Sequence, residues 1–252
     1  MLHAPSEKLS GKIVVITGAN GTIARSIAYR LASQGATIIG LVRRNVSEVR
    51  KFFETLPGSK HHVIEADVTK TEMIISAVKN IQHHWGKCDI LINNAAVSKV
   101  ISSSNIQALT DDIFDEIIHT NLRGPYSVIR EFYDLLKSSD DAIIINISST
   151  SAAQASQTCI AYAASKAGLE IMTKSLSKIM APSIRVIGIA PGHLDTATSG
   201  TKKDDSVNRL SVAIPLKRLA TAEDVSRAIE SCIIDMPYMT GHILYLDGGR
   251  TA

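Results

Sequence analysis

The feature that most constrains the fold of this 252-residue chain is a regular alternation of short β-branched runs with longer helical patterns. The first run, Lys12–Thr17 (KIVVIT), is almost continuously apolar, as in a strand that is buried on both faces. Thr22–Gln34 then repeats apolar residues at helical spacing and is followed by Gly35, a residue type that often ends helices. The alternation predicts an α/β fold: a Rossmann-type, doubly wound parallel sheet with helices on both faces.

The same two patterns recur along the whole chain. Six further strands are predicted at Thr37–Val42, His62–Ala66, Asp89–Asn93, Ala142–Ile147, Arg185–Ala190 and Ile243–Leu246. The other predicted helices are Val46–Thr55, Thr71–Trp85, Thr110–Lys137, Ala161–Met180 and Ala222–Ile233. Because no linker, repeat or low-complexity tract interrupts the series, residues 1–252 are expected to form a single domain.

Composition excludes several classes of protein. With 20% charged residues, 45% hydrophobic residues and a net charge of +3, the chain is expected to be globular and not to bind nucleic acid. None of the eight histidines has a metal-ligand spacing, so no metal site is expected. The three cysteines are read as free thiols, the N-terminus has no signal-peptide pattern, and no apolar stretch is long enough to span a membrane. A cytoplasmic location is therefore expected.

A glycine-rich turn, TGANGTIA (Thr17–Ala24), directly follows the first predicted strand and opens the first helix. Such a turn lets backbone N–H groups approach a pyrophosphate, and the helix N-terminus adds partial positive charge. A glycine-rich turn alone is weak evidence, but its position at the start of a βαβ series favours a dinucleotide site. The predicted contacts in this turn are Gly18, Asn20, Gly21, Thr22 and Ile23.

The end of the second strand bears on the choice of cofactor. An NAD site needs an acidic residue there for the ribose hydroxyls, but this chain has Val42 followed by Arg43 and Arg44. Two guanidinium groups can pair with a 2′-phosphate. The pattern therefore favours NADP(H) over NAD(H), with two solvated surface arginines as the alternative.

Tyr162 and Lys166, in AYAASK, are four residues apart and so lie on one face of a predicted helix. A cation close to the phenol oxygen lowers its pKa and suits the tyrosine to proton transfer. The spacing alone is a common accident, but Ser149 follows the preceding predicted strand and can orient a carbonyl. Asn121, inside the helix predicted at Thr110–Lys137, is either an ordinary buried amide or holds a water beside Lys166.

With these residues the chain resembles the short-chain dehydrogenase/reductase family over nearly its whole length. TGANGTIA is similar to the family's TGxxxGxG turn, and NNAA (Asn93–Ala96) to its NNAG segment. PGHLDT (Pro191–Thr196) and YMTGHILYLDGG (Tyr238–Gly249) are similar to its nicotinamide loop and its last strand. Three positions depart from the family pattern: Thr22 and Ala24 replace glycines of the turn, and Ala96 replaces the glycine of NNAG.

The resemblance implies hydride transfer between the nicotinamide and a carbonyl or secondary alcohol, with Tyr162 as general acid/base and Ser149 polarising the substrate oxygen. It further implies that Lys166 lowers the pKa of Tyr162 and holds the nicotinamide ribose, and that Asn121 supports a water chain. The cofactor contacts that it adds are Asp67, Val68, Asn94, Tyr162, Lys166, Pro191, Leu194 and Thr196. It also implies a homotetramer or dimer assembled through the helices predicted at Thr110–Lys137 and Ala161–Met180.

Two further functions are compatible with the sequence. APSIRV (Ala181–Val186) and LDGGR (Leu246–Arg250) are somewhat similar to pteridine-reducing members, which makes a pteridine substrate a second hypothesis. A third is a non-catalytic, dinucleotide-sensing protein, although a sensor needs no complete catalytic set. Thr196–Ser211 is interpreted either as a lid or as a surface loop, and His193 either as a substrate contact or as a cap of its loop.

Overall fold

The computed structural model describes residues 7–101, 105–154, 159–195 and 210–252. Seven strands are assigned in chain order: β1 (Ile13–Thr17), β2 (Thr37–Val42), β3 (His62–Glu65), β4 (Ile90–Asn93), β5 (Ala142–Ile147), β6 (Ile184–Pro191) and β7 (Ile243–Leu246). The α-helices are α1 (Thr22–Ala32), α2 (Val46–Phe53), α3 (Thr71–Trp85), α4 (Asp111–Ile118), α5 (Gly124–Lys137), α6 (Ile160–Met180) and α7 (Ala222–Ile234).

The strands form one sheet in the order β3-β2-β1-β4-β5-β6-β7, with every pair parallel. The chain reverses its direction across the sheet between β1 and β4, as the doubly wound topology requires. The predicted fold class is thus confirmed. Because all seven strands run the same way, their carboxyl ends meet at one edge of the sheet, where ligands of such folds bind.

Each face of the sheet carries its own apolar core. Val14 and Ile16 of β1 belong to the core that also contains α1 and α7, whereas Ile13 and Val15 belong to the core that contains α3 and α5. Alternate residues of a strand point to opposite faces, so a strand covered on both sides must be apolar throughout. This requirement explains why β1 could be found from its sequence.

The prediction of a single long helix at Thr110–Lys137 is wrong. The segment divides into α4, a π-helical stretch at His119–Arg123, and α5. Pro125 lacks the N–H that would bond to the carbonyl of Asn121, and its ring excludes that carbonyl from the normal helical position. The Gly124 N–H instead bonds to the carbonyl of His119, five residues back. Such bulges are frequent at functional sites.

The predicted bounds of the other elements differ from the observed ones by at most two residues. A short 3₁₀ turn at Thr150–Ala152 follows β5, and Cys159 precedes α6. The predicted lid Thr196–Ser211 lies outside the described residues except at its end, and so does the predicted cofactor contact Thr196.

Candidate active site

The glycine-rich turn joins the end of β1 to α1 at the carboxyl edge of the sheet. Gly18 has a φ of +64°, and a Cβ built on it would lie 2.8 Å from the Cα of Ala95, so only glycine fits there. The Thr17 hydroxyl accepts from the N–H groups of Asn94 and Ala95, each at 3.0 Å. The Asn94 amide donates to the carbonyls of Thr17 and Gly18, each at 3.1 Å. The turn is therefore held rigidly against the segment that follows β4.

No side chain caps the N-terminus of α1, where Gly21 is the N-cap residue. The helix thus presents free backbone N–H groups and its partial positive charge to the cleft, as a pyrophosphate requires. Thr22 is the first residue of this helix, and it lines the cleft at the helix N-terminus. Ala24 is fully buried in the core beside α1, where a small side chain lets the helix pack against the sheet.

The cleft at this edge has two adjoining parts. The larger, of about 370 Å³, is lined by Gly18, Asn20, Gly21, Thr22, Ile23, Asn94, Ala95, Ala96, Leu194, Asp195 and Ala222. The smaller, of about 160 Å³, is lined by Gly18, Asn20, Arg43, Arg44, Ala66, Asp67, Val68, Ala95, Ala96, Val97 and Thr120. The structure thus brings most of the predicted cofactor contacts together around one elongated cleft. Pro191 lines neither part and forms the last residue of β6.

Both arginines that follow β2 face the smaller part of the cleft. Arg43 is 40% exposed, and its Nη1 lies 3.9 Å from Oδ2 of Asp67, a distance at which the two charges interact without a short hydrogen bond. The other oxygen of Asp67 accepts from the N–H and hydroxyl of Thr69. The Arg43 guanidinium therefore keeps N–H donors open to the cleft.

Three of the four predicted catalytic residues converge between β5 and α6. Tyr162 lies in the first turn of α6 and forms a side-chain hydrogen bond with Ser149, which follows β5 by two residues. Lys166 is one turn further along the helix, with its Nζ 5.7 Å from the centroid of the Tyr162 ring. That Nζ donates to the carbonyl of Ile147 at 2.6 Å. A phenol and a hydroxyl are thus paired beside a buried ammonium.

The net shift in the pKa of Tyr162 is upward in this structure, opposite in direction to the one expected from Lys166. Burial raises the pKa of Tyr162, and the hydrogen bond from Ser149 offsets only part of that effect. The ammonium lies over the ring, 5.7 Å from its centroid, and donates to the carbonyl of Ile147. Burial also lowers the pKa of Lys166 to about 8. Tyr162 is consequently a neutral phenol at pH 7, the form that donates a proton.

Asn121 is fully buried in the π-helical stretch, and most of the hydrogen-bonding positions of its amide are occupied by other groups of the protein. Its oxygen accepts from the N–H of Val97 at 2.8 Å, and its Nδ2 donates to the carbonyl of Val97 at 2.9 Å and to the Ser165 hydroxyl at 3.2 Å. Asn121 therefore joins the segment after β4 to Ser165 of α6, the residue that precedes Lys166. Both amide protons are used, which leaves one acceptor position on the oxygen.

Sequence reasoning missed a buried carboxylate beneath the catalytic residues. Glu170 accepts from the Ser148 hydroxyl and from the Tyr245 phenol, each at 2.8 Å. Burial and the neighbouring Glu170 raise the pKa of Tyr245 to about 12. Glu170 follows Lys166 by four residues, so helical spacing places it on the same face as Tyr162 and Lys166 and could have identified it.

A second and larger cavity, of about 560 Å³, lies between β7 and residues 215–220 and includes none of the four predicted catalytic residues. It adjoins the cleft, because its lining residue Ala220 is bridged to Leu194 of the cleft. Among the described residues no group of three His, Cys, Asp or Glu side chains could hold a metal ion. No described helix is both long enough and apolar enough to cross a membrane.

A doubly wound parallel sheet with an uncapped helix N-terminus and a glycine-rich turn at its carboxyl edge defines a dinucleotide-binding protein of the Rossmann class. Comparison with known proteins agrees with this assignment to a class. The sequence model of a family described as "Enoyl-(Acyl carrier protein) reductase" matches residues 18–251. The chain belongs to this family of short-chain dehydrogenases/reductases and is an NAD(P)-dependent oxidoreductase, as predicted.

Relatives cover nearly the full length of the chain. The 3-oxoacyl-[acyl-carrier-protein] reductase of Pseudomonas aeruginosa is 30% identical over 245 residues, which are 96% of this chain and 98% of that protein. A putative ketoacyl reductase of granaticin polyketide synthesis from Streptomyces violaceoruber is 27% identical over 241 residues, 94% and 95% of the two chains. The ligand-free aldohexose dehydrogenase of Thermoplasma acidophilum has a TM-score of 0.85 at 26% identity, covering 97% of this chain and 96% of that one.

Proposed function

We propose that this protein interconverts a small-molecule ketone and a secondary alcohol, with NADP(H) as the cofactor. The observation that carries the proposal is the hydrogen-bonded pair of Ser149 and Tyr162 at the carboxyl end of β5, with Lys166 buried against the tyrosine ring. Two hydroxyl groups side by side provide two donors for a single substrate oxygen. Such a pair suits a carbonyl whose oxygen becomes negatively charged as hydride arrives.

In the reducing direction, Tyr162 gives its proton to the carbonyl oxygen while Ser149 donates a hydrogen bond to that same oxygen. The nicotinamide, when bound, supplies the hydride. Lys166 would hold the nicotinamide ribose with the Nζ protons that the carbonyl of Ile147 leaves free. Asn121 positions α6 through Ser165, and the free acceptor position on its oxygen can hold the water through which the proton of Tyr162 is replaced.

The relatives support carbonyl chemistry by their names, because ketoacyl reductases and an aldohexose dehydrogenase act at C=O or CH–OH groups. The family description instead names an enoyl reductase, which acts on a C=C bond. A pteridine reductase and a dinucleotide sensor are two further candidates. A panel of 3-oxoacyl thioesters, simple ketones, enoyl thioesters and dihydropteridines, each assayed for NADPH consumption, separates these functions. We expect turnover of ketones; turnover of enoyl thioesters or pteridines alone, or of nothing, would contradict the proposal.

The proposed preference for NADP(H) rests on Arg43 and Arg44, which line the smaller part of the cleft. A charge-assisted pair with a phosphate contributes about 1.5–3 kcal/mol, or roughly 10- to 150-fold in affinity. We expect Arg43→Ala to raise the KM for NADPH by roughly that factor and to leave the KM for NADH within about twofold. Arg50→Ala, on the exposed part of α2, is the matched control and should change neither value. Equal losses for both cofactors would contradict the assignment.

We further propose a homotetramer, or a dimer, in the cytoplasm, with residues 1–252 acting as one domain. Large apolar side chains on α5 and α6 are exposed in the single chain, including Tyr126, Tyr133 and Ile171. A second copy packed against these helices would cover them. The three cysteines are buried and none of them forms a disulfide, as is usual in a reducing compartment. Light scattering of the purified protein gives its mass directly; a monomer would contradict the assembly.

A further inference from the structure

Two basic side chains meet at the carboxyl edge of the sheet, and the proposed function uses neither. His193 follows β6 by two residues, and Arg250 follows β7 by four. Nη1 of Arg250 lies 2.8 Å from Nδ1 of His193.

The pair lies close to the proposed catalytic residues because β5, β6 and β7 are consecutive neighbours in the sheet. Ser149 follows β5 by two residues, just as His193 follows β6. Backbone hydrogen bonds extend both pairings past the strands, from Ser148 to Ile189 at 2.6 Å and from Gly192 to Leu246 at 2.9 Å. The register pairs Ile147 with Ile189, so Ser149 is level with Pro191 and His193 lies two residues further along the neighbouring strand. With strands about 4.8 Å apart and a rise of about 3.3 Å per residue, the backbone of His193 is roughly 8 Å from that of Ser149, and Arg250 lies beside His193.

The polar groups that the pair leaves open are all donors. Arginine can only donate, so Nδ1 of His193 accepts and the proton of the neutral ring lies on Nε2. Burial, and next to it the charge of Arg250, lower the pKa of His193, which keeps the ring neutral at pH 7. The pair therefore carries one positive charge and presents the remaining guanidinium N–H groups together with the imidazole Nε2–H.

No carboxylate in the described part of the chain lies within ion-pair distance of Arg250. Asp247, three residues earlier, uses its oxygens to accept from the Gly249 N–H and from the N–H and hydroxyl of Thr251. Arg218, on the segment that pairs with the loop of His193, is by contrast neutralised by two hydrogen bonds to Asp224 at 2.6 and 2.9 Å. Among the residues that the structure describes, Arg250 thus has no carboxylate partner, and its contact with His193 holds it in place.

We propose that His193 and Arg250 determine substrate specificity by binding a carboxylate or phosphate group on the substrate. The carbonyl is held by Ser149 and Tyr162, and the anionic group binds beside His193, roughly 8 Å from Ser149. The preferred substrates are accordingly keto acids or phosphorylated ketones, not neutral ketones. This inference rests on the proposed function, since it names the substrate class of the same site.

The test compares each acid with its neutral counterpart, so that the reacting ketone is unchanged. Values of kcat/KM with NADPH are measured for 4-oxopentanoate, 5-oxohexanoate and their methyl esters, and for dihydroxyacetone phosphate against dihydroxyacetone. We expect the wild type to prefer at least one anion over its neutral partner, and whether a keto acid or the phosphate is preferred identifies the group. Arg250→Met should reduce that preference by about 10- to 100-fold, mainly through KM, and Arg250→Lys by less.

Arg50→Met removes the same charge from the opposite end of the sheet and should not change the preference. If the wild type shows no preference for anions, the inference is wrong. It is also wrong if Arg250→Met lowers the rates on acids and esters equally and lowers the melting temperature, because that result assigns the contact with His193 a purely structural role.

A direct binding measurement distinguishes this inference from the proposed function. Calorimetric titration of pentanoate and of inorganic phosphate into the NADPH-bound protein should show binding that Arg250→Met weakens by about 10-fold or more. Anion binding without turnover of any ketone would mean that the proposed function is wrong and the anion site correct. Ketone turnover without anion binding would mean the reverse.

Discussion

Lys166 is a buried cation, and replacing it with methionine separates its proposed catalytic role from its effect on folding. Its side chain is 2% exposed, and Nζ donates to the carbonyl of Ile147 at 2.6 Å. Burial lowers its pKa from 10.5 to about 8, and no carboxylate of the described residues offsets that effect. In the unfolded chain the same group is solvated and titrates near its ordinary value.

The size and sign of the effect follow from this difference. Since the folded pKa is the lower one, the charged form is disfavoured in the folded state. At roughly 1.4 kcal/mol per pH unit, a pKa lowered from 10.5 to about 8 corresponds to roughly 3 kcal/mol of lost stability. This destabilisation has its full size below pH about 8 and disappears as the pH rises from there to 10.5. Methionine removes the charge but leaves the Ile147 carbonyl without its donor, which costs about 1–3 kcal/mol.

We therefore expect Lys166→Met to be inactive and yet more stable than the wild type at pH 7, by up to about 2 kcal/mol. Urea denaturation of the apoprotein between pH 7 and pH 9.5 measures this, and the advantage of the variant should shrink over that range. Lys174→Met, which removes an exposed lysine from the same helix, is the matched control and should show no such trend. A stability difference that does not change with pH would refute the reasoning.

Three further predictions concern the fold and the cofactor site. Burial alone would raise the pKa of Asp89, but hydrogen bonds from Ser139, the Ile13 N–H and Lys87 outweigh it and lower that pKa. Asp89→Asn should therefore lower the free energy of unfolding in urea at pH 7 by about 2–4 kcal/mol. That contribution is intact above the ordinary pKa near 3.8 and is lost as the pH falls through the lower folded value; a difference that persists unchanged at pH 2 would contradict the assignment. The kcat/KM for NADPH should fall as the pH rises through about 8, where Lys166 of the free enzyme loses its proton. A profile that is flat to pH 10 would exclude the proposed role of the Lys166 ammonium in cofactor binding. Gly18→Ala should weaken NADPH binding at least tenfold in a fluorescence titration, because its Cβ would meet Ala95, and unchanged affinity would show that the turn adapts.

The strands and most helices were predictable because burial on both faces leaves a strong local pattern. The break in the helix around Asn121 was not, since it depends on the choice between two hydrogen-bonding registers near Pro125 and on contacts with Val97, 24 residues earlier in the chain. The resemblance therefore drew attention to Asn121, but nothing in the sequence indicated that its amide bonds to the backbone of Val97.

The electrostatics of the site were also beyond sequence reasoning. The spacing of Tyr162 and Lys166 predicts one helix face, which the structure shows, but the direction of a pKa shift depends on burial and on where the ammonium points. Helical spacing places Glu170 on the face of Lys166, but its contact with Tyr245 and the contact of His193 with Arg250 join segments that are 75 and 57 residues apart. Local patterns carry no information about such contacts.

The central claim is that Tyr162 supplies the proton in carbonyl reduction. Single-turnover oxidation of bound NADPH by an accepted ketone, compared between the wild type and Tyr162→Phe, tests it most directly. General acid catalysis contributes about 10²- to 10⁴-fold, so we expect the rate to fall by at least about 100-fold while the Kd for NADPH, from fluorescence, stays within about twofold. A variant that binds NADPH normally and reduces the ketone at the wild-type rate would contradict the mechanism.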